Sequence, residues 1–162
     1  MITFIQTGGT IDKDYPKTQR GYAFEIGQPA VVRILEKLNP SFEYEIIELL
    51  KKDSLEITAD DRKLLVDTCL QQSNKMIVIT HGTDTLLETA KDLMTVKDKT
   101  IVLTGAMRPE RFINSDAPVN VGLAIGSVQT LPPGVYVTMH GRTLSAQQMT
   151  RNSETGQFIP QD

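Results

Sequence analysis

The sequence predicts an α/β fold, a Rossmann-like parallel sheet with helices on both faces, organised as a single domain. Strand-like and helix-like segments alternate along the chain, and the strand-like ones are continuously apolar instead of alternating with polar residues. That is the pattern of strands buried on both faces, as in a sheet sandwiched between helices. At 162 residues the chain is also long enough to bury one substantial core.

The elements follow in order. ITFIQT (2–7) is a short β-run closed by Gly8 and Gly9. DKDYPKTQRGY (12–22) is polar, carries Pro16 and Gly21, and predicts a long mobile loop. After Pro29, suited to the first position of a helix, Ala30, Val31, Ile34, Leu35 and Leu38 recur at helical spacing. YEIIELL (44–50) is the second strand. Thr58 and Asp61 form a capping-box-like pair opening a helix through about Gln72, with Leu65, Val66, Cys69 and Leu70 facing inward. KMIVIT (75–80) is a third strand, and Leu86, Leu87, Ala90, Leu93 and Met94 again repeat as a helix. TIVLTG (100–105) gives a fourth strand, residues 116–130 a fourth helix and VYVTM (135–139) a fifth strand. The remainder, 150–162, is polar and predicts a loosely held tail.

Composition narrows the function. The net charge is −3, from 17 basic and 20 acidic residues with no basic block, which disfavours nucleic-acid binding. The N-terminus lacks the charged and apolar regions of a signal peptide, and no apolar run is long enough to span a bilayer. One cysteine allows no intrachain disulfide, which suits a reducing compartment. A cytoplasmic protein is therefore expected, with no membrane partner.

Ligands of open α/β sheets bind beyond the carboxyl ends of the strands. Those ends carry TGGT (7–10), KDS (52–54), THGTDT (80–85), TGAMRP (104–109) and MHGR (139–142). Hydroxyls, a carboxylate and glycines thus gather along one edge. The glycine pair before Thr10 permits a tight turn and close approach of a ligand to the backbone at Gly9. A threonine hydroxyl is a weak nucleophile unless a neighbouring base takes its proton, so Thr10 by itself reads as a turn cap sooner than as a catalytic group. TGGTID is not G-x-G-x-x-G, which argues against a dinucleotide site. Asp84 sits where a carboxylate caps a helix or grips a substrate ammonium group. Thr83 beside it is a second nucleophile or a proton carrier, and Ser54 a ligand group or a turn residue. Cys69 lies on an apolar helix face and reads as core. His81 and His140 are isolated, so no metal site is expected.

QTGGTID (6–12), DSLEIT (53–58), VITHGTDTLLETA (78–90) and LTGAMRP (103–109) occur together in that order. This combination closely resembles the bacterial-type L-asparaginase family, along nearly the whole chain. The resemblance implies a threonine amidohydrolase that converts L-asparagine to L-aspartate and ammonia without metal or organic cofactor. By motif position, Thr10 is the primary nucleophile, and Thr83 and Asp84 form the second half of the site. Asp84 receives the substrate α-ammonium group, Ser54 the α-carboxylate and the backbone of Ala106 the side-chain amide. Residues 12–24 become a lid that shields the acyl-enzyme from water. Because sites in the family lie near subunit contacts, a homodimer or homotetramer is expected.

The chain departs from that family at four points. Typical members are about twice as long, with a smaller C-terminal domain; residues 1–162 correspond to the N-terminal domain and end near where the second would start, so the chain resembles the short-chain asparaginase-like proteins. Arg151 aligns with a family lysine that pairs with the aspartate of HGTDT. Arginine stabilises Asp84 but cannot act as a base, and loss of a general base costs on the order of 10²–10⁴-fold in rate. Phe24 aligns with the lid tyrosine, leaving Tyr22, with Tyr15 as the alternative, to supply the phenol. Leu55 replaces a polar residue that holds substrate. These departures leave two further readings open: a non-catalytic amino-acid-binding or regulatory module, and an ammonia-generating subunit of an amidotransferase.

Overall fold

The computed structural model describes residues 1–161. In chain order its elements are β1 (Ile2–Gly8), β2 (Lys13–Asp14), β3 (Lys17–Thr18), β4 (Gly21–Tyr22), β5 (Glu25–Ile26) and α1 (Ala30–Leu38). Then come β6 (Tyr44–Lys52), α2 (Ala59–Gln71), β7 (Met76–Thr80), α3 (Leu86–Leu93), β8 (Thr100–Thr104) and α4 (Ala117–Thr130). The chain finishes with β9 (Gly134–Met139), β10 (Arg142–Ser145), β11 (Met149–Arg151) and β12 (Phe158–Pro160).

The apolar runs become a six-stranded sheet ordered β10-β9-β8-β7-β1-β6. Its pairings are parallel except for β10, which returns antiparallel along β9. Strand residues alternate between the two faces, and both faces are covered. Ile77, Ile79, Ile101 and Leu103 join Leu65 and Cys69 of α2 and Leu86, Ala90 and Leu93 of α3 in one core. Phe4, Val78 and Val102 join Val31 and Leu35 of α1 and Val121 and Ala124 of α4 in the other. Each such buried aliphatic side chain stabilises the fold by about 1.5–3 kcal/mol. Among the described residues no helix is long and apolar enough to cross a membrane.

The two cores reveal an unusual connection. β7–α3–β8 and β8–α4–β9 both step to the next strand in the same direction, yet α3 and α4 lie on opposite faces. One of them therefore has the opposite hand. β1–α1–β6 and β6–α2–β7 share the hand of β7–α3–β8, so β8–α4–β9 is the exception to the near-universal right-handed rule. Its leading loop runs back over the end of β1, where the Glu110 N–H donates to the Ile11 carbonyl at 3.1 Å.

Several local expectations are corrected. Residues 12–22 are paired, with β2 against β5 and β3 against β4, and Thr18 Oγ1 closes the tip by donating to the Gly21 carbonyl at 2.8 Å. The α2 capping box between Thr58 and Asp61 forms. Leu70, however, is 53% exposed, because it lies about 100° around the helix from the buried Cys69. β10 follows a two-residue turn in which His140 (φ 52°) and Gly141 (φ 76°) are both left-handed, a turn that matches strand twist. The predicted loose tail is instead a hairpin of β11 and β12. Phe158 is fully buried in the first core, and its N–H donates to His140 Nδ1 at 3.2 Å.

Candidate active site at the carboxyl edge of the sheet

From β1 the chain steps to β6 on one side, and from β7 to β8 on the other. The carboxyl ends of β1 and β7 thus mark the switch point beside which open α/β sheets hold ligands. Thr10 follows β1 there, and the HGTD turn follows β7.

Two glycines draw three strand ends together. Gly9 (φ 87°) lies so near the β7 turn that a Cβ on it would sit 2.3 Å from Gly82 N and Cα. A Cβ on Gly82 would in turn sit 2.6 Å from Ser54 Cβ. No side chain fits at either place. Thr10, Thr83 and Ser54 therefore hang from one backbone knot. Thr10 opens a short 3₁₀ turn, Thr10–Asp12, and Ser54 opens another, Ser54–Glu56. Of the threonines nearby, Thr7 donates to the Thr80 carbonyl at 2.8 Å and Thr85 to the Ser54 carbonyl at 2.7 Å. Among the described residues no protein group holds the hydroxyls of Thr10, Thr83 or Ser54.

Asp84 does not cap α3. The cap position is Thr85, without a side-chain bond to the helix. Arg151 Nη1 instead donates to Asp84 Oδ1 at 2.9 Å and to the Thr83 carbonyl at 3.3 Å. The guanidinium is braced by Nε donating to the Gly156 carbonyl at 3.1 Å and by the Phe158 ring, 5.6 Å away. The Asp84 side chain remains half exposed.

His81 is buried and structural. Its Nδ1 lies 2.8 Å from the Gly82 carbonyl, which only accepts, so Nδ1 carries the proton. Nε2 then accepts from the Thr89 hydroxyl at 2.9 Å. Burial pulls its pKa down to about 4, so the ring is neutral and fixes the turn that presents Thr83. Ala106 is buried, with its backbone held on both sides. Asn120 Nδ2 donates to the Gly105 carbonyl at 3.0 Å, and Asp116 accepts from the N–H groups of Met107 and Arg108.

The residues expected to form a lid are less concentrated. Tyr22 stands on the outer hairpin, 74% exposed. Tyr15 stacks on Phe24 with centroids 4.5 Å apart and continues toward Phe112 at 6.4 Å. Leu55 is also exposed. Sequence reading missed the fastenings of this segment. Lys13 Nζ bonds Asp53 Oδ2 at 3.2 Å and lies 5.3 Å over Phe24, while Arg111 bonds Asp14 at 2.8 Å. The Leu55 N–H and the Lys13 ammonium hold the Asp53 carboxyl below its ordinary range. Lys13 therefore fastens the Ser54 turn. Asp116 and Asn120 were likewise missed, since a helix's first turn gives no sign of which loop it grips.

The fold and this edge define an open α/β domain with a hydroxyl-and-carboxylate site at its switch point. A family model described as "Asparaginase, N-terminal" matches residues 1–157. The chain is 30% identical to a glutaminase-asparaginase of Acinetobacter glutaminasificans, across 99% of this chain and 53% of that protein. It is 32% identical to one component of the glutamyl-tRNA(Gln) amidotransferase of Methanococcus maripaludis, across 88% of this chain and 35% of that protein. The thermostable L-asparaginase from Thermococcus kodakarensis superposes with a TM-score of 0.83 at 28% identity, covering 98% of this chain and 50% of that one. The chain belongs to the asparaginase family. It spans about half the length of these two asparaginases.

Proposed function

We propose that this chain hydrolyses L-asparagine to L-aspartate and ammonia, with Thr10 as nucleophile. The single observation that supports this reading is the Gly9–Gly82–Ser54 knot, which brings the backbone beside Thr10, Ser54 and the Thr83–Asp84 turn together. Thr10 Oγ1 bonds to the amide carbon, its proton passes to the amide nitrogen, and the C–N bond breaks to release ammonia. Water then adds to the resulting ester, splits it and returns a proton to Thr10 Oγ1. Thr83 relays these protons, since Arg151 stays charged and cannot.

Arg151 occupies one oxygen of Asp84 and leaves the other for the substrate α-ammonium. Ser54 receives the α-carboxylate, Gly9 and Ala106 offer backbone to the substrate, and Tyr22 closes the lid. The chain acts in the cytoplasm as a homodimer or homotetramer, a reading supported by Ile113, fully exposed beside Phe112 on the β8–α4 loop. Equilibrium sedimentation giving only a monomer would remove the oligomer.

Ammonia release from asparagine, glutamine and small amides tests the reading. Release from asparagine that disappears in Thr10→Ala supports it, and none from any amide contradicts it. The Arg151–Asp84 pair favours a second reading, amino-acid binding without turnover. Calorimetry showing asparagine or aspartate bound with no ammonia formed would establish that one.

A further inference from the structure

Asp12 lies two residues beyond Thr10 and takes no part in the steps above. We propose that Asp12 is a positioning residue that, as a neutral carboxylic acid, holds Gln6 on Gly27 and so clasps the far end of the lid to the Thr10 turn, and releases that end on ionisation. Its effect on turnover rests on the reading of Thr10 just given; the clasp itself does not.

Residues 13–27, the lid with the turn that closes it, leave Asp12 and return to it at Gly27, where the Gln6 side chain also holds them. The Asp12 carbonyl accepts from the Gly27 N–H at 2.9 Å, and Gln6 Nε2 donates to the Gly27 carbonyl at 3.0 Å. Asp12 Oδ1 accepts from the Ala30 N–H at 2.7 Å, tying in the start of α1. The Asp12 N–H donates to the Gly9 carbonyl at 3.2 Å and so links the same residue to the glycine knot.

Asp12 is fully buried, and Gln6 nearly so. Their side chains meet, yet Asp12 Oδ2 and Gln6 Oε1 are both buried without a partner. Two buried acceptors left without a donor are costly. In the neutral acid a proton on Oδ2 reaches the Gln6 amide oxygen and leaves Gln6 Nε2 on Gly27; once Asp12 ionises, only Gln6 Nε2 can bond Oδ2, and turning to it gives up the Gly27 carbonyl. Desolvation pushes the Asp12 pKa up to about 7, against the opposing pull of the Ala30 N–H, Gln6, Arg33 on α1 and Lys51 on β6. Arg33 is itself paired with Glu110 of the β8–α4 loop, which Lys37 also reaches at 3.3 Å. On the lid side, Lys13 and Asp14 are committed to Asp53 and Arg111.

Lys17 and Arg20 make the lid a trypsin substrate, so its release is readable without turnover. Cleavage of the wild type would be compared with Asp12→Asn and Asp12→Ala from pH 6 to pH 8. Asn keeps the Oδ1 acceptor and offers an N–H to Gln6, but does not ionise. At pH 8 about a tenth of Asp12 keeps its proton, so wild-type cleavage relative to Asp12→Asn should rise roughly tenfold over that at pH 6. Asp12→Ala should be cleaved fast at both pH values.

A carbon-detected titration of the Asp12 carboxyl keeps the test decisive should Asp12→Ala fail to fold. Equal cleavage of wild type and Asp12→Asn at pH 8, or a carboxyl that titrates near 4, overturns the clasp. The expected cleavage pattern without ammonia release sinks only the enzymatic reading. Ammonia release with a pH-flat ratio sinks only the clasp.

Discussion

Thr10 and Asp84 divide the proposed work, and their substitutions carry different signatures. Thr10→Ala removes the attacking oxygen, so ammonia release should fall to background with an unchanged circular-dichroism spectrum. Asp84→Ala should raise KM for asparagine steeply, because it removes the anchor for the ammonium group and frees Arg151. Arg151→Lys keeps the charge on Asp84 while restoring a group able to exchange protons; kcat should rise, by no more than the roughly 10²–10⁴-fold that a general base provides. Two buried titrating groups shape stability. His81 is held neutral down to about pH 4, whereas an unfolded histidine protonates near 6.5, so its contribution is lost as pH falls from 6.5 to 4. Asp12 runs the other way: folded it keeps its proton to about pH 7, unfolded only to 3.8, so its contribution is lost as pH rises across that range. The two slopes oppose between pH 4 and 6.5. Thermal melts of Asp12→Asn should therefore show a decline on acidification that the wild type masks.

Elements decide whether those residues meet. Gly82→Ala places a methyl against the Ser54 turn. Overpacking of this kind costs about 1–3 kcal/mol, and it should lower the melting temperature and raise KM together. Phe158→Ala, a large-to-small change under Arg151, should cost about 3–5 kcal/mol by denaturant titration. Long apolar runs were legible: β1, β7, β8, β9 and the four helices lie where hydrophobic periodicity puts them. The motif-based pairing of Arg151 with Asp84 was legible too. What stayed hidden depends on backbone pairing or on contacts distant in sequence. The lid strands are two residues each, too short for any period, and Phe158 is one aromatic in a polar stretch. The left-handed His140–Gly141 turn was the available clue to β10. Lys13–Asp53 and the grip of Asp116 and Asn120 on the Ala106 loop join residues that no local pattern connects.

The whole molecule turns on one arrangement, in which β1 and β7 are neighbours whose chains leave in opposite directions. The odd-handed β8–α4–β9 crossover brings its leading loop across the end of β1, so Ala106, the lid and the Thr10 turn share one edge. The chain spans about half the length of the Acinetobacter and Thermococcus asparaginases. Ammonia release alone leaves open which oxygen attacks. Rapid acid quench of the enzyme with asparagine, followed by peptide mass mapping, addresses that oxygen directly. An aspartyl ester on the peptide containing Thr10, absent in Thr10→Ala, is the expected result. An ester confined to the Thr83 peptide, or ammonia formed equally by Thr10→Ala, would contradict it.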